Sequence, residues 1–112
     1  MDIGANLGQY TCLIAKCRND VTVVAFEPHP IVIKELEKNV HLNGLQNVIV
    51  VNTALSDTDG VALFDPVYLD RPTPHGRVHS AEEPELPGKV KIKCARGESI
   101  VRDGSIPQPQ IV

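Results

Sequence analysis

Two short, nearly unbroken apolar blocks, Val21-Thr22-Val23-Val24-Ala25-Phe26 and Val48-Ile49-Val50-Val51, limit the choice of fold more than anything else in the chain. A strand with one wet face alternates apolar and polar residues. A β-branched run without alternation is covered on both faces, as strands of parallel sheets are. Parallel neighbours need a crossover, and the sequence supplies one between the blocks. Pro30 suits the first turn of a helix. Ile33, Leu36 and Val40, with Val32 and Leu42 nearby, give it an apolar face, and Lys34, Glu35, Glu37 and Lys38 cover the other. Asn43-Gly44 ends it, with Gly44 as the C′ residue. Upstream, Leu7, Tyr10, Ile14 and Cys17, with Leu13 beside them, recur at helical spacing and predict an earlier helix with an inward face of those residues. Arg18-Asn19-Asp20 closes that helix, and Met1 to Ile3 is the stub of a strand before it. The order β-α-β-α-β predicts a parallel sheet with right-handed crossovers.

The turn into the first helix, Asp2-Ile3-Gly4-Ala5-Asn6-Leu7-Gly8-Gln9-Tyr10-Thr11, carries the most chemistry. Glycine is favoured where the backbone takes φ > 0 or approaches a ligand closely. The helix that follows aims unpaired N–H groups and a positive dipole end at the turn. The spacing is G-x-x-x-G, with an acid two residues before the first glycine. A dinucleotide fingerprint wants G-x-G-x-x-G, and a P-loop wants Lys-Ser or Lys-Thr after its last glycine. A carboxylate aimed at a pyrophosphate would repel it. A ligand with a carboxylate, an ammonium and a sulfonium fits these opposed fields better, and S-adenosylmethionine is such a ligand. The plainer reading is a tight strand-to-helix turn with no ligand.

Glu27 stands at the carboxyl end of the second strand, 23 residues beyond Gly4 and ahead of Pro28-His29-Pro30. In open α/β sheets ligands bind just past the carboxyl ends of the strands, and an acid near this spacing meets ribose hydroxyls. Alternatively, Glu27 only starts a helix, where the dipole favours an acid. Beyond the third strand, Asn52-Thr53-Ala54-Leu55-Ser56-Asp57 lies where a ligand's base would sit, and small Ala54 would let a flat ring approach. A plain polar loop is the alternative there.

Composition excludes several classes of function. The net charge of −3 gives no basic field for nucleic acid. No apolar run approaches the roughly 20 residues of a membrane span. Met1-Asp2 shows no signal-peptide pattern, and Cys12, Cys17 and Cys94 form no C-x-x-C pair. Buried, reduced thiols and a cytoplasmic setting are therefore expected. His75 and His79 stand four apart among prolines, a poor setting for metal ligands, and no metal is expected. His29 and His41 stand alone and need no special role.

Residues 1–60 thus form a core unit, and residues 61–112 complete a single partial domain. Val61-Ala62-Leu63-Phe64 predicts a short strand, and Val90-Lys91-Ile92-Lys93-Cys94 an antiparallel partner with one wet face. Between them, residues 65–89 read as mostly loop, with five prolines and the cluster Glu82-Glu83-Glu85. A loop of that length either covers a cleft or is a disordered insertion. Gly97 to Asp103 predicts one helical turn, and Ile111-Val112 begins another buried strand.

Four blocks in order carry a resemblance: the turn from Asp2 to Thr11; Ala25-Phe26-Glu27-Pro28-His29-Pro30; Asn39-x-x-Leu42-Asn43-Gly44-Leu45-x-Asn47-Val48; and Asn52-x-Ala54-Leu55-Ser56-Asp57-x-x-Gly60. Together they resemble the FkbM family of S-adenosylmethionine-dependent methyltransferases. The resemblance implies a Rossmann-like class I methyltransferase fold, an α/β parallel sheet with helices on both faces. Here it would be incomplete at both ends and carry a short antiparallel hairpin. Asp2, Gly4, Ala5, Asn6 and Gly8 would line the methionine half of the cofactor. Glu27 and Pro28 would hold the ribose, and Ala54 and Leu55 would border the adenine. The acceptor would be a hydroxyl of a small molecule or glycan. The family's Lys-Ile-Asp-Val-Glu-Gly-Ala-Glu-like block has no counterpart here, and no catalytic base is identified. The chain is then either the cofactor-binding half of an enzyme or a non-catalytic remnant. Unpaired sheet edges would favour self-association.

Overall fold

The computed structural model describes residues 1–66, 76–79 and 88–110. Its first part runs β1 (Asp2–Ile3), α1 (Gln9–Cys17), β2 (Val23–Phe26), α2 (Val32–Leu42), β3 (Val48–Val51), the order expected. The three strands form a parallel sheet in sequence order. Asp2 is level with Ala25, and Val23 to Phe26 are level with Val48 to Val51. Central β2 is buried along its length, which is why its sequence does not alternate. Ala25 packs on one face with Ala5 and Leu36, flanked by Val40 and Val50. Val24 and Phe26 pack on the other with Ala95, Ile100 and Ile106. β3 is only half-buried, because it is an edge of this sheet.

The second helix matches its pattern. Val32, Ile33 and Leu36 are buried, while Leu42 is exposed. Its end is a Schellman motif: Gly44 has φ 63°, its N–H donates to the His41 carbonyl, and the Leu45 N–H donates to the Val40 carbonyl. The first helix corrects its expected face. Tyr10, Leu13 and Ile14 are exposed, and the buried residues are Thr11 and Ala15. The side that meets the sheet is set by close contacts at the turn. The Thr11 hydroxyl bonds the Asp2 carboxylate, and Gly8 abuts Leu36.

The second part is a four-stranded sheet rather than a hairpin. It holds β4 (Ala54–Leu55), β5 (Gly60–Pro66), β6 (Gly76–His79) and β7 (Val90–Ala95), in the order β4-β7-β5-β6. β5 and β7 pair antiparallel, Val61 with Lys93 and Phe64 with Val90, as the alternation of β7 predicts. β4 adds parallel to β7. β6 pairs antiparallel with β5 inside the stretch expected to be loop. The last helix is α3 (Gly97–Arg102); its Ile100 joins Val24 and Phe26 in the core on that side of β2. Pro72, Pro74, Pro84, Pro87, the Glu82-Glu83-Glu85 cluster, His75 and Ile111-Val112 lie outside the described residues.

Of the three thiols, Cys94 is buried and Cys12 half-buried, and burial pushes both up from the usual thiol range. Cys17 is exposed, against expectation, because it ends α1 on its outer side. Among the described residues no cluster of three potential metal ligands exists, and no helix is long and apolar enough to cross a membrane.

Candidate functional site

The carboxyl ends of the three parallel strands are laced into one rim. β1 stops at Ile3, and the next five residues include three with left-handed backbones: Gly4 (φ 72°), Asn6 (φ 52°) and Gly8 (φ 83°). Asn tolerates that region better than other residues with a Cβ. The curl lets the N–H groups of Gly4 and Ala5 both donate to the Phe26 carbonyl, each at 2.9 Å. The turn therefore folds over the end of β2. A Cβ on Gly8 would collide with the Leu36 side chain, so glycine there serves close packing as well as φ.

Glu27 sits one residue past β2 and is 6% exposed. Its Oε2 accepts the Asn6 N–H at 2.8 Å, and its Oε1 accepts the His29 N–H at 2.8 Å. The carboxylate thus bolts the turn after β1 to the turn after β2. Its own N–H donates to the Val51 carbonyl at 3.1 Å. From the third strand's exit, the Asn52 side-chain amide donates to the Glu27 carbonyl at 2.9 Å and reaches the Pro28 carbonyl at 3.4 Å. Half-buried Pro28 forms the bend between Glu27 and His29.

Asp2 is half-buried, and its Oδ2 accepts the Thr11 hydroxyl at 2.5 Å. Asp2 is level with Ala25, and Glu27 follows two residues later, just past β2, so the two acids stand near the carboxyl ends of adjacent strands. The offset between them along the strands is about 7 Å. Of the residues expected to contact a ligand, Gly4, Asn6 and Gly8 lie on the turn after β1, Asp2 just before it and Glu27 just past β2, and Ala5 packs with Ala25 and Leu36. Ala54 and Leu55 stand differently. They form β4 rather than a loop, and the Ala54 side chain is buried with Ala62, Phe64, Ile92 and Cys94. Leu55 is half-buried against the core of Val24, Phe26 and Ile100, and β4 is an edge strand of its sheet.

The polar inventory fits a cationic ligand that also carries hydroxyls. Each Glu27 oxygen accepts one backbone N–H and keeps a second lone pair, and Asp2 keeps acceptor capacity beyond Thr11. The Asn6 Oδ1 atom is buried and has no donor among the described residues. Such an acceptor is completed by an incoming N–H. Gly4 is exposed, with open space where a Cβ would stand. A cleft of about 460 Å³ is bordered by Met1, Asp2, Ile14, Thr22, Val24 and Pro107. It runs from Asp2 of β1 along the amino-terminal half of β2, whereas α/β sheets bind ligands past the carboxyl ends of their strands.

Sequence reasoning missed three braces. Thr11 lay inside the first block with no role assigned, and it holds Asp2. Asn47 donates to the carbonyls of Ala15, Arg18 and Val21, tying the end of α1 to the start of β2. His29, expected to have no special role, bonds Glu27 through its backbone and the start of α2 through its ring. Its place in Pro28-His29-Pro30, one turn before an apolar helix, was the available signal.

Over 111 residues, 99% of the chain, the sequence is 29% identical to the hexuronic acid methyltransferase AglP of Haloferax volcanii. The chain spans 42% of that protein's length. No protein-family model matches the chain. No solved structure matches it either.

Proposed function

We propose that this chain is the cofactor-binding part of a methyltransferase that uses S-adenosylmethionine and methylates a hydroxyl of a sugar or similar small molecule. The observation that carries the reading is the rim itself. Two acids, Asp2 and Glu27, stand at the carboxyl ends of adjacent parallel strands, beside a turn whose buried Asn6 Oδ1 has no donor among the described residues. That set favours a ligand with a positive centre and vicinal hydroxyls over a pyrophosphate. The likeness to the Haloferax volcanii hexuronic acid methyltransferase supports methyl transfer to a sugar, and the quoted blocks support an FkbM-type, Rossmann-like assignment within it.

In this reading Glu27 accepts the ribose hydroxyls with its remaining lone pairs, Pro28 borders the ribose, and Asp2 and Asn6 accept from the methionine ammonium. Gly4 lets the backbone approach the ligand, and the outer edge of β4, at Ala54 and Leu55, borders the adenine. The bound cofactor supplies an electrophilic methyl on a sulfonium, open to in-line attack by an acceptor oxygen. The chain's own work is then positioning and the exclusion of water. The competing reading is a remnant that keeps this rim without turnover.

Calorimetry with S-adenosylhomocysteine tests the proposal. Binding that Glu27→Ala weakens about tenfold or more, as loss of charge-assisted hydrogen bonds requires, supports it. No binding by a folded chain leaves the remnant.

A further inference from the structure

We propose that His29 is a positioning residue for Glu27, holding that carboxylate and the start of α2 together only while its Nδ1 carries no proton. The inference rests on the cofactor reading of Glu27 for its functional meaning. Its geometry stands independently.

His29 is 5% exposed. Its Nδ1 accepts the N–H of Ile31 at 3.1 Å and of Val32 at 3.4 Å, and its carbonyl accepts the Ile33 N–H at 3.0 Å. That is the bonding of an N-cap, with Pro30 in the first helical position. The role usually falls to Ser, Thr, Asp or Asn, whose acceptors do not turn into donors near neutral pH. Two N–H donors aimed at Nδ1 require a lone pair there, so the ring proton resides on Nε2. The ring also packs edge-on against Phe64, with centroids 5.7 Å apart and planes at 82°.

A proton on Nδ1 would set a donor against two donors at the positive end of a helix. The cap must then open, and the same residue's backbone N–H is what holds Glu27 Oε1. The other oxygen of Glu27 holds the Asn6 N–H. A bonded path therefore runs from the imidazole through Glu27 to the turn after β1. Among the described residues the groups facing the ring are few. Glu27 approaches from the end of β2, and the first amides of α2 lie at Nδ1, with Lys34 and Glu35 of that helix exposed. β5 presents uncharged Phe64, and its neighbour Asp65 projects to the opposite face of the strand. Glu27 and His29 are thus the two ionisable side chains on this path among the described residues, and the test separates them.

The experiment follows the Asn6 amide by ¹⁵N NMR from about pH 8 to about pH 5 and reads the imidazole tautomer at the upper end. S-adenosylhomocysteine affinity is measured at both ends, in the wild-type chain and in His29→Asn. Asparagine caps a helix without titrating. Expected in the wild type are an Nε2–H tautomer and, at whatever pH the imidazole signal reports a second ring proton, a shift of the Asn6 amide with binding weakened about fivefold or more. In His29→Asn the amide is stationary and affinity changes by less than about twofold. An Nδ1–H tautomer overturns the proposal. So does an Asn6 amide that stays still while the imidazole signal reports protonation, or an identical pH course in His29→Asn. If His29→Asn does not fold, the wild-type tautomer and the Asn6 curve decide alone. If S-adenosylhomocysteine binds at no pH, the cofactor reading fails and the amide readout still judges His29.

Discussion

Gly4 and Gly8 share a left-handed backbone but differ in what surrounds them, and the difference separates two costs. Nothing lies within 4 Å of a Cβ built on Gly4, so Gly4→Ala meets backbone strain alone, about 1–2 kcal/mol. At Gly8 the added methyl also strikes Leu36, a fully buried residue, so Gly8→Ala should cost about 2–4 kcal/mol. Urea denaturation of the two variants checks the order. Equal losses would mean that α1 and α2 have room to part.

At the scale of elements, side-chain amides and one carboxylate do much of the joining. Asn39 donates to the Leu7 carbonyl, Asn43 to the Asn39 carbonyl, and Asn47 to three carbonyls between α1 and β2. Three asparagines within the third block of the resemblance are therefore braces of the scaffold rather than ligand contacts. Asp59 plays the corresponding part in the second sheet. It accepts the Arg96 N–H at the start of α3, then the Ser99 hydroxyl and the Arg96 guanidinium. The Arg96 backbone bond and then Ser99 hold its carboxyl below the usual carboxylate range. A lowered folded-state value makes this stabilisation complete at neutral pH; it is lost as pH falls below about 4 and through the folded-state value. Asp59→Asn should flatten the acid limb of the stability curve in that window and leave the neutral-pH shape alone. Denaturation midpoints across pH check this.

The two sheets are joined into one body by a shared core. Phe26 and Val24, from the parallel sheet, pack with Ala95 at the end of β7, Ile100 of α3 and Ile106. Phe26 is 1% exposed, so Phe26→Ala should cost about 3–5 kcal/mol, a large share of a small domain's stability. Because the cluster spans both sheets, amide exchange in β2 and β7 should accelerate by the same factor. Acceleration confined to β2 would show two separately folding units.

The sequence by itself determined the order of the first five elements, the parallel pairing of β1 to β3, the end of α2 at Gly44, the pairing of β5 with β7, and the placing of Asp2 and Glu27 at the ends of adjacent strands. These follow from local rules: side-chain periodicity, glycine at positive φ, and the crossover that parallel strands demand. The tertiary structure alone decided which side of α1 faces inward, that Ala54 lies inside a second sheet, and that β6 joins it. It also gave His29 and Asn47 their roles. Most of these depend on partners well separated along the chain, as when Glu27 meets Asn6 or Asn47 meets Val21. Spacing along a chain carries no record of which distant carbonyl or N–H a side chain will meet. Only closure of the fold brings those groups within bonding distance.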